Sequence, residues 1–323
     1  MSYGQDARIG VSFQNSYGTA NVASLHWLAP ISESVDLKKA QLVQKGLRGI
    51  YDTGQSQEGL NTVGGDISIE AKANGLGVLL EATNASSLSV TSGALYSHVF
   101  RPRTSDHQSL SAERPFTYLK FLGDTGSAHR YYDLNGSNLE LSISNGELLT
   151  AKMGIVGGNF DRIAAVAATY SDSNVLDWSV SSASLNGTGL QNVRALTITQ
   201  ENNLAAKHVV ESSGNRFPSR IKRTDNRSIS VAGTLIFDDQ TQANMFLAQT
   251  EQRLAVFIKG TSLVQSGYYE SLLIDVPSLR FTEHPIPIGG PGEIEVSFKA
   301  DAKYNTGSAT AIQYTLQCGK AGF

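Results

Sequence analysis

The chain has 323 residues, with 26 Lys and Arg against 29 Asp and Glu and a formal net charge of −3. This balance excludes a protein that holds nucleic acid on a strongly basic surface. The single cysteine, Cys318, excludes an intrachain disulfide framework and a multi-cysteine zinc site, and we expect it to be a free thiol. Charged residues are only 17% of the chain and 31 residues are glycine, which favours a β-rich protein with much surface covered by partners.

The beginning of the sequence carries no targeting signal that we recognise. Met1–Asp6 lacks the basic start and apolar run of a signal peptide. The longest apolar feature, Ile163–Ala168, is far shorter than the roughly 18 residues needed to cross a bilayer. We therefore expect synthesis in a cytoplasm and no membrane partner.

Strict alternation of polar and apolar residues is the main structural signal. It predicts half-buried antiparallel strands with one polar and one apolar face. The clearest cases are Asp66–Ala71, Asn138–Ile143, Ser228–Val231 and Glu293–Phe298. The glycine pairs Gly64-Gly65 and Gly289-Gly290 are expected in turns that precede strands.

Two short helices are predicted between the strands. The first runs from about Asn74 to Asn84, although Gly75 and Gly77 disfavour it. The second covers Gln240–Gln252 and follows a capping Asp238 or Asp239, with Met245, Phe246 and Gln249 as candidates for its buried face.

The order of these features recurs in the two halves of the chain. Each half has an alternating strand, a short helix, a tyrosine pair leading into a long strand, and a Gly-Glu before the last strand; the markers are Ile67 and Ile229, Tyr131-Tyr132 and Tyr268-Tyr269, and Gly146-Glu147 and Gly292-Glu293. We interpret this as a tandem duplication, with one unit at 1–180 and the other at 181–323. Chance similarity between two β-rich stretches is the alternative.

The sequence lacks a recognisable catalytic or metal-binding motif. Its six histidines form no helical pair of a zinc site, and no Gly-x-Ser-x-Gly elbow is present. The only adjacent carboxylates, Asp238-Asp239, fit a helix cap better than an acid–base pair. We therefore predict no enzyme, no cofactor and no metal.

Two segments are predicted to be interaction surfaces. The first unit has an extra long loop, about 98–120, whose aromatic and basic residues suggest contact with a neighbouring subunit, a solvated loop being the alternative. The candidates are Phe100, Arg101, Arg103, Arg114 and Phe116. A basic run from Arg216 to Arg227 is expected to form a strand face that pairs with acidic groups of another subunit, rather than a nucleic-acid patch.

Taken together, these features resemble the phage tail tube proteins, the major tail proteins of long-tailed, non-contractile phages. In the first unit the resemblance depends on Tyr17-Gly18-Thr19, Glu58-Gly59, Gly64–Ile67, Leu79-Leu80, His98–Phe100 and Gly146-Glu147. In the second it depends on Phe217–Ile221, Gly233–Asp239, Gly292–Ile294 and Ile312–Leu316. Each motif is short, so their order and repetition carry the resemblance.

The resemblance implies a mainly β chain with tandem β-sandwich or small-barrel folds, each flanked by a short helix. It implies self-assembly into stacked rings around a hollow lumen through which DNA is ejected, in the virion tail. Two folds per chain would give trimeric rings with pseudo-sixfold symmetry, with hexameric rings as the variant. The implied partners are other copies of the chain, the tape-measure protein and DNA in the lumen, a tail terminator and tail-tip or baseplate proteins.

On the strands that would face the lumen, the alternation gives acidic candidates. These are Asp66, Glu70, Glu140, Glu293 and Glu295. A net negative chain suits a conduit, since a basic lumen would hold DNA rather than let it slide.

Two other classes of protein remain open at this point. A carbohydrate-binding or adhesin-like β-sandwich would need an exposed aromatic platform, whereas Trp27 and Trp178 are expected in the core. A hydrolase built on β-sandwiches would need a Ser, His and Asp set assembled in space.

Overall fold

The structure is a computed structural model of long antiparallel strands and two short helices. It describes residues 6–45, 52, 55–92, 95–103, 114–123, 126–170, 175–190, 192–209, 216–237, 240–265, 267–286 and 293–323. The mainly β prediction is confirmed. Neither helix of the described chain has the length or apolarity required to cross a lipid bilayer.

Among its described residues, the first half contains ten strands and one helix. They are β1 (Arg8–Phe13), β2 (His26–Leu28), β3 (Pro30–Glu33), β4 (Asp36–Val43), β5 (Ser56–Glu70), α1 (Ala73–Thr83), β6 (Ala85–Ser92), β7 (Leu95–Arg101), β8 (Phe116–Phe121), β9 (Ser127–Ser144) and β10 (Thr150–Ala164). Strand pairing runs from β2 through β1, β8, β9, β10 and β5 to β3. Only Ala29 separates β2 from β3, so the two strands at the ends of this circuit are neighbours in the chain.

The second half contains the remaining strands and the second helix. They are β11 (Ser181–Leu185), β12 (Thr188–Leu190), β13 (Val193–Glu201), β14 (Leu204–Lys207), β15 (Arg220–Arg223), β16 (Ser228–Ile236), α2 (Thr241–Ala248), β17 (Gln252–Gln265), β18 (Tyr268–Glu283), β19 (Glu295–Ala302) and β20 (Gln313–Cys318). Pairing here runs from β13 through β16, β19, β18 and β17 to β11.

The two halves share one sheet and one hydrophobic core. β9 of the first half pairs with β13 of the second, and β20 pairs with β7. Buried residues from both halves, such as Leu141 and Ile198, belong to the same core cluster. The division at about residue 180 therefore lies within a continuous structure, and the duplication remains a prediction.

Both predicted helices form, with shifted ends. α1 spans Ala73–Thr83 although it contains Gly77. A Cβ at Gly77 would lie 2.1 Å from the Phe323 ring, so packing requires glycine at this position. The glycine thus makes room for an aromatic side chain. α2 ends at Ala248, earlier than predicted, since Gln249 adopts a left-handed conformation and β17 begins at Gln252. Asp238 and Asp239 lie outside the described residues.

The prediction of a turn at Gly64-Gly65 is wrong, because both glycines lie inside β5. The strand changes partners there, with β4 paired up to Gly64 and β3 paired from Ile67. A Cβ at Gly65 would lie 2.4 Å from the carbonyl oxygen of Ser34. The glycine is needed for close approach of two backbones rather than for a turn. Gly289 and Gly290 lie outside the described residues.

We expect Gly65→Ala to destabilise the protein by about 2 kcal/mol or more, because the new methyl group meets rigid backbone. Gly64→Ala is the matched control, since its Cβ would lie 3.3 Å from the nearest atom, the Ile155 carbonyl oxygen. Urea denaturation of both variants measures the difference. Equal midpoints for the two variants would show that the Ser34 contact does not require glycine.

Glu270 is a carboxyl group buried in β18, 8% exposed. Loss of hydration raises its pKa from 4.5 to about 7. The folded protein therefore binds a proton between these values that the unfolded chain does not. The stability contributed by Glu270 is complete below pH 4.5 and is lost as the pH rises to about 7.

We expect Glu270→Gln to remove this pH dependence. The difference in unfolding free energy between the variant and the parent should change by about 2 kcal/mol across that range, after allowance for solvent screening. At the higher pH the parent should lose stability relative to the variant. Burial lowers the pKa of His26 to about 4, so His26 makes stability rise with pH over part of the same range. Because His26 is present in both proteins, its contribution cancels when their unfolding free energies are subtracted. A difference independent of pH would contradict the assignment.

Candidate functional site

One surface of the sheet carries polar side chains across eight neighbouring strands of both halves. Its central row crosses β3, β5, β10, β9, β13, β16, β19 and β18 in that order. The residues of this row are Ser32, Ser68, Lys152, Glu140, Thr199, Ser230, Asp301 and Arg280. This surface, with the parallel rows on either side, is hereafter the polar face.

Alternation along each strand produces the polar face. The residues between its members point to the opposite side, where they form the core; examples are Ile67, Ile69, Leu139, Leu141, Ile198 and Val231. The row beside the central one carries small hydroxyl groups at Thr150, Ser142 and Thr197. Ser142 and Thr197 are hydrogen-bonded across β9 and β13, with 3.2 Å between their oxygens. The join between the two halves is therefore polar on this surface.

Carboxylates outnumber basic groups on this face. The acidic residues are Asp66, Glu70, Glu140, Glu201, Glu283, Glu295 and Asp301, and the basic ones are Lys152, Arg194, Arg280 and Lys299. Lys152 lies 3.5 Å from Asp66, and Lys299 lies 3.1 Å from Glu283. Burial raises the pKa of Glu201, and the neighbouring Glu140 and Asp66 carboxylates raise it further. The face therefore presents a negative field.

Sequence reasoning found much of this cluster. Asp66, Glu70, Glu140 and Glu295 lie together on the polar face, and Glu293 lies beside it, 2.7 Å from Arg194. Glu201, Glu283 and Asp301 were missed. Glu201 ends β13, in which the buried Leu196 and Ile198 alternate with Thr197 and Thr199, so the same alternation places Glu201 on the polar side. That these residues face a lumen stays a prediction.

The candidate contact residues of the long loop lie elsewhere and are held by their own chain. Phe100 and Phe116 are fully buried in the core, so their side chains are not available to a neighbouring subunit. The arginines are also engaged: Arg101 donates to Gln313, Arg103 to the Asn84 carbonyl, and Arg114 to Glu81. Most of the loop, 104–113, lies outside the described residues.

The basic run is likewise tied to its own chain. Arg216 forms an ion pair with Glu58 of β5, and Arg227 donates to Asn202 and to the Arg103 carbonyl. Arg220, Lys222 and Arg223 lie on β15, which pairs with β14. Contact of this run with another subunit stays a prediction.

A second notable surface is the hairpin of β4 and β5. Its apolar side chains are exposed, with Leu42 61%, Leu60 51% and Val43 41% accessible. The backbone N–H of Asn61 in β5 donates to the Arg216 carbonyl at 2.9 Å, which connects the hairpin to the second half of the chain. A hairpin with several exposed apolar side chains suits contact with another protein.

Other kinds of site have less support. Within the described ranges, His, Cys, Asp and Glu side chains form no group of three that could hold a metal ion. Trp178, expected in the core, is 43% exposed, because it lies at the start of the segment that leads into β11 rather than within a strand. It lines a groove of about 420 Å³ with Ser181, Asn145 and Arg194.

The amino-acid sequence was compared with models of known protein families and with curated proteins. The model of the family described as phage tail tube protein matches residues 4–302. No curated protein matches the sequence. Since the family match covers nearly the whole of a mainly β chain, the chain belongs to the phage tail tube protein family and is a structural component of the virion tail.

Proposed function

We propose that the chain assembles into stacked rings that form the hollow tail tube, with the polar face lining the channel for DNA. The observation that carries the proposal is the continuous acidic, hydroxyl-rich surface across both halves of the chain. A phosphate backbone passing such a surface meets repulsion and finds few basic groups that could retain it.

Two features support assembly into rings and tubes. The two halves are joined edge to edge, so each chain contributes two neighbouring units to a ring, and three chains would complete pseudo-sixfold symmetry. The β4–β5 hairpin offers exposed apolar groups for contact between stacked rings. Hexameric rings, with one unit of each chain at the lumen, are the alternative.

Membership of the tail tube family supports a proposal for the wider assembly. We infer that the tube encloses the tape-measure protein and then DNA, and that it meets a terminator at one end and tail-tip proteins at the other. We place it in the tail of a long-tailed phage. The subunit would be made in the host cytoplasm before joining the tail.

Negative-stain electron microscopy of the concentrated protein, with its mass in solution, tests the proposal. We expect tubes or stacked rings with a central hole and a ring mass of three chains. A ring mass of six chains would favour the hexameric alternative. A monomer at every concentration, including in the presence of tail-tip proteins, would contradict assembly.

A further inference from the structure

The order of strand pairing is the same in the two halves of the chain. In the first half, β5 pairs with β10, β10 with β9, and β9 with β8. In the second half, β16 pairs with β19, β19 with β18, and β18 with β17. A helix follows the first of these strands in each half. The halves therefore present equivalent strands in equivalent places.

The central row of the polar face reflects this repeat. Its first half contributes Ser32, Ser68, Lys152 and Glu140, and its second half contributes Thr199, Ser230, Asp301 and Arg280. Each set has two hydroxyl residues followed by an adjacent pair of opposite charges. The sets meet where Glu140 of β9 lies opposite Thr199 of β13, in antiparallel pairing.

At each end of this row the described structure has a strand edge with no further strand paired to it, and the Arg280 side chain forms an ion pair with Glu251 at 3.2 Å. At one end, β3 is paired with β5 and with no other described strand, and Ile31 of β3 is 57% exposed. At the other end, pairing of β18 with β17 stops at Leu279, so Arg280–Glu283 pair only with β19. By position in the row, Arg280 corresponds to Glu140 and Ser32 corresponds to Thr199.

We propose that the Arg280–Glu283 edge of one copy pairs antiparallel with the β3 edge of a second copy, with Arg280 opposite Ser32. This contact repeats between chains the β9–β13 join found within the chain. The two edges are different surfaces, so the contact is head to tail and closes into a ring when the rotation permits. Pairing also covers edges that would otherwise invite uncontrolled aggregation. The inference rests on the proposed ring assembly.

Disulfide trapping in the assembled protein tests this register. Directly opposite residues on paired antiparallel strands lie within disulfide range, and both positions are accessible, Ser32 being exposed and the Arg280 side chain 43% exposed. The double variant Ser32→Cys, Arg280→Cys is assembled, oxidised and analysed on a non-reducing gel. We expect a reducible covalent ring of three chains, at about tenfold the yield of a control pair.

The control pair is Ser32→Cys with Ser297→Cys, which places the second cysteine on β19, away from the edge. Each single variant reports disulfides between identical positions, and the native Cys318 is buried in the parent structure. Rings that assemble normally but give no more cross-linking than the control pair would overturn the inference and leave the proposed function standing. Failure of the unmodified protein to assemble would overturn both.

Discussion

Replacing Glu140 and Glu201 with lysine is expected to make the assembled protein retain DNA. The two residues lie near each other on adjacent strands of the polar face, and the change moves the formal net charge from −3 to about +1 per chain. Every ring of the proposed channel would gain basic groups at the same level. Because such groups release counterions from DNA, binding should strengthen by about tenfold or more at 50 mM salt and weaken steeply at higher salt.

Co-sedimentation of assembled tubes with labelled DNA measures this retention. Glu147→Lys with Asp225→Lys is the matched control, since both side chains are exposed, lie off the polar face, and give the same change in net charge. We expect the control to bind far less DNA. Equal retention by both variants would show that net charge matters and that the polar face does not contact DNA.

Asp133→Ala is expected to cost about 4 kcal/mol of stability. The Asp133 carboxylate is 6% exposed and accepts hydrogen bonds from the Gln14 amide at 3.0 Å, the Gly18 backbone N–H at 2.8 Å and the Asn159 side chain. The alanine leaves these donors without their acceptor. Asp133 also has φ of 59°, a left-handed conformation that aspartate tolerates better than alanine.

Urea denaturation compares this variant with two others. Asp133→Asn keeps a residue suited to the left-handed conformation and one oxygen acceptor, so an intermediate loss is expected. Asp161→Ala removes a carboxylate that is paired with Arg130 and 38% exposed, so a loss below about 1 kcal/mol is expected. Similar losses in Asp133→Ala and Asp161→Ala would show that the buried hydrogen bonds contribute little.

The strands that could be predicted from the sequence are those marked by alternation of polar and apolar residues among near neighbours in the chain. Alternation at Asp66–Ala71 and Asn138–Ile143 identified parts of β5 and β9, because one face of each strand is buried and the other is not. Local pattern misled at Gly64-Gly65, where the glycine serves a contact with Ser34, which is 31 residues away from Gly65 along the chain. A requirement set by a distant backbone leaves no signature beside the glycine.

Many residues of the polar face could be predicted from the sequence, but their positions relative to one another could not. Polar positions on each strand could be read from alternation, yet the row from Ser32 to Arg280 depends on strand order and register, which are set by tertiary packing. Phe100 and Phe116 show the converse limit. Their neighbours in sequence are polar and basic, so they suggested a docking loop, whereas β7 and β8 bury both rings in the core.

The central claim is that the polar face lines the channel of a tube, and a cryo-electron microscopy reconstruction of assembled tubes tests it most directly. We predict that the row containing Glu140 and Thr199 lies at the inner wall and the β4–β5 hairpin between rings. A reconstruction with the polar face on the outer surface, or buried between stacked rings, would contradict the account.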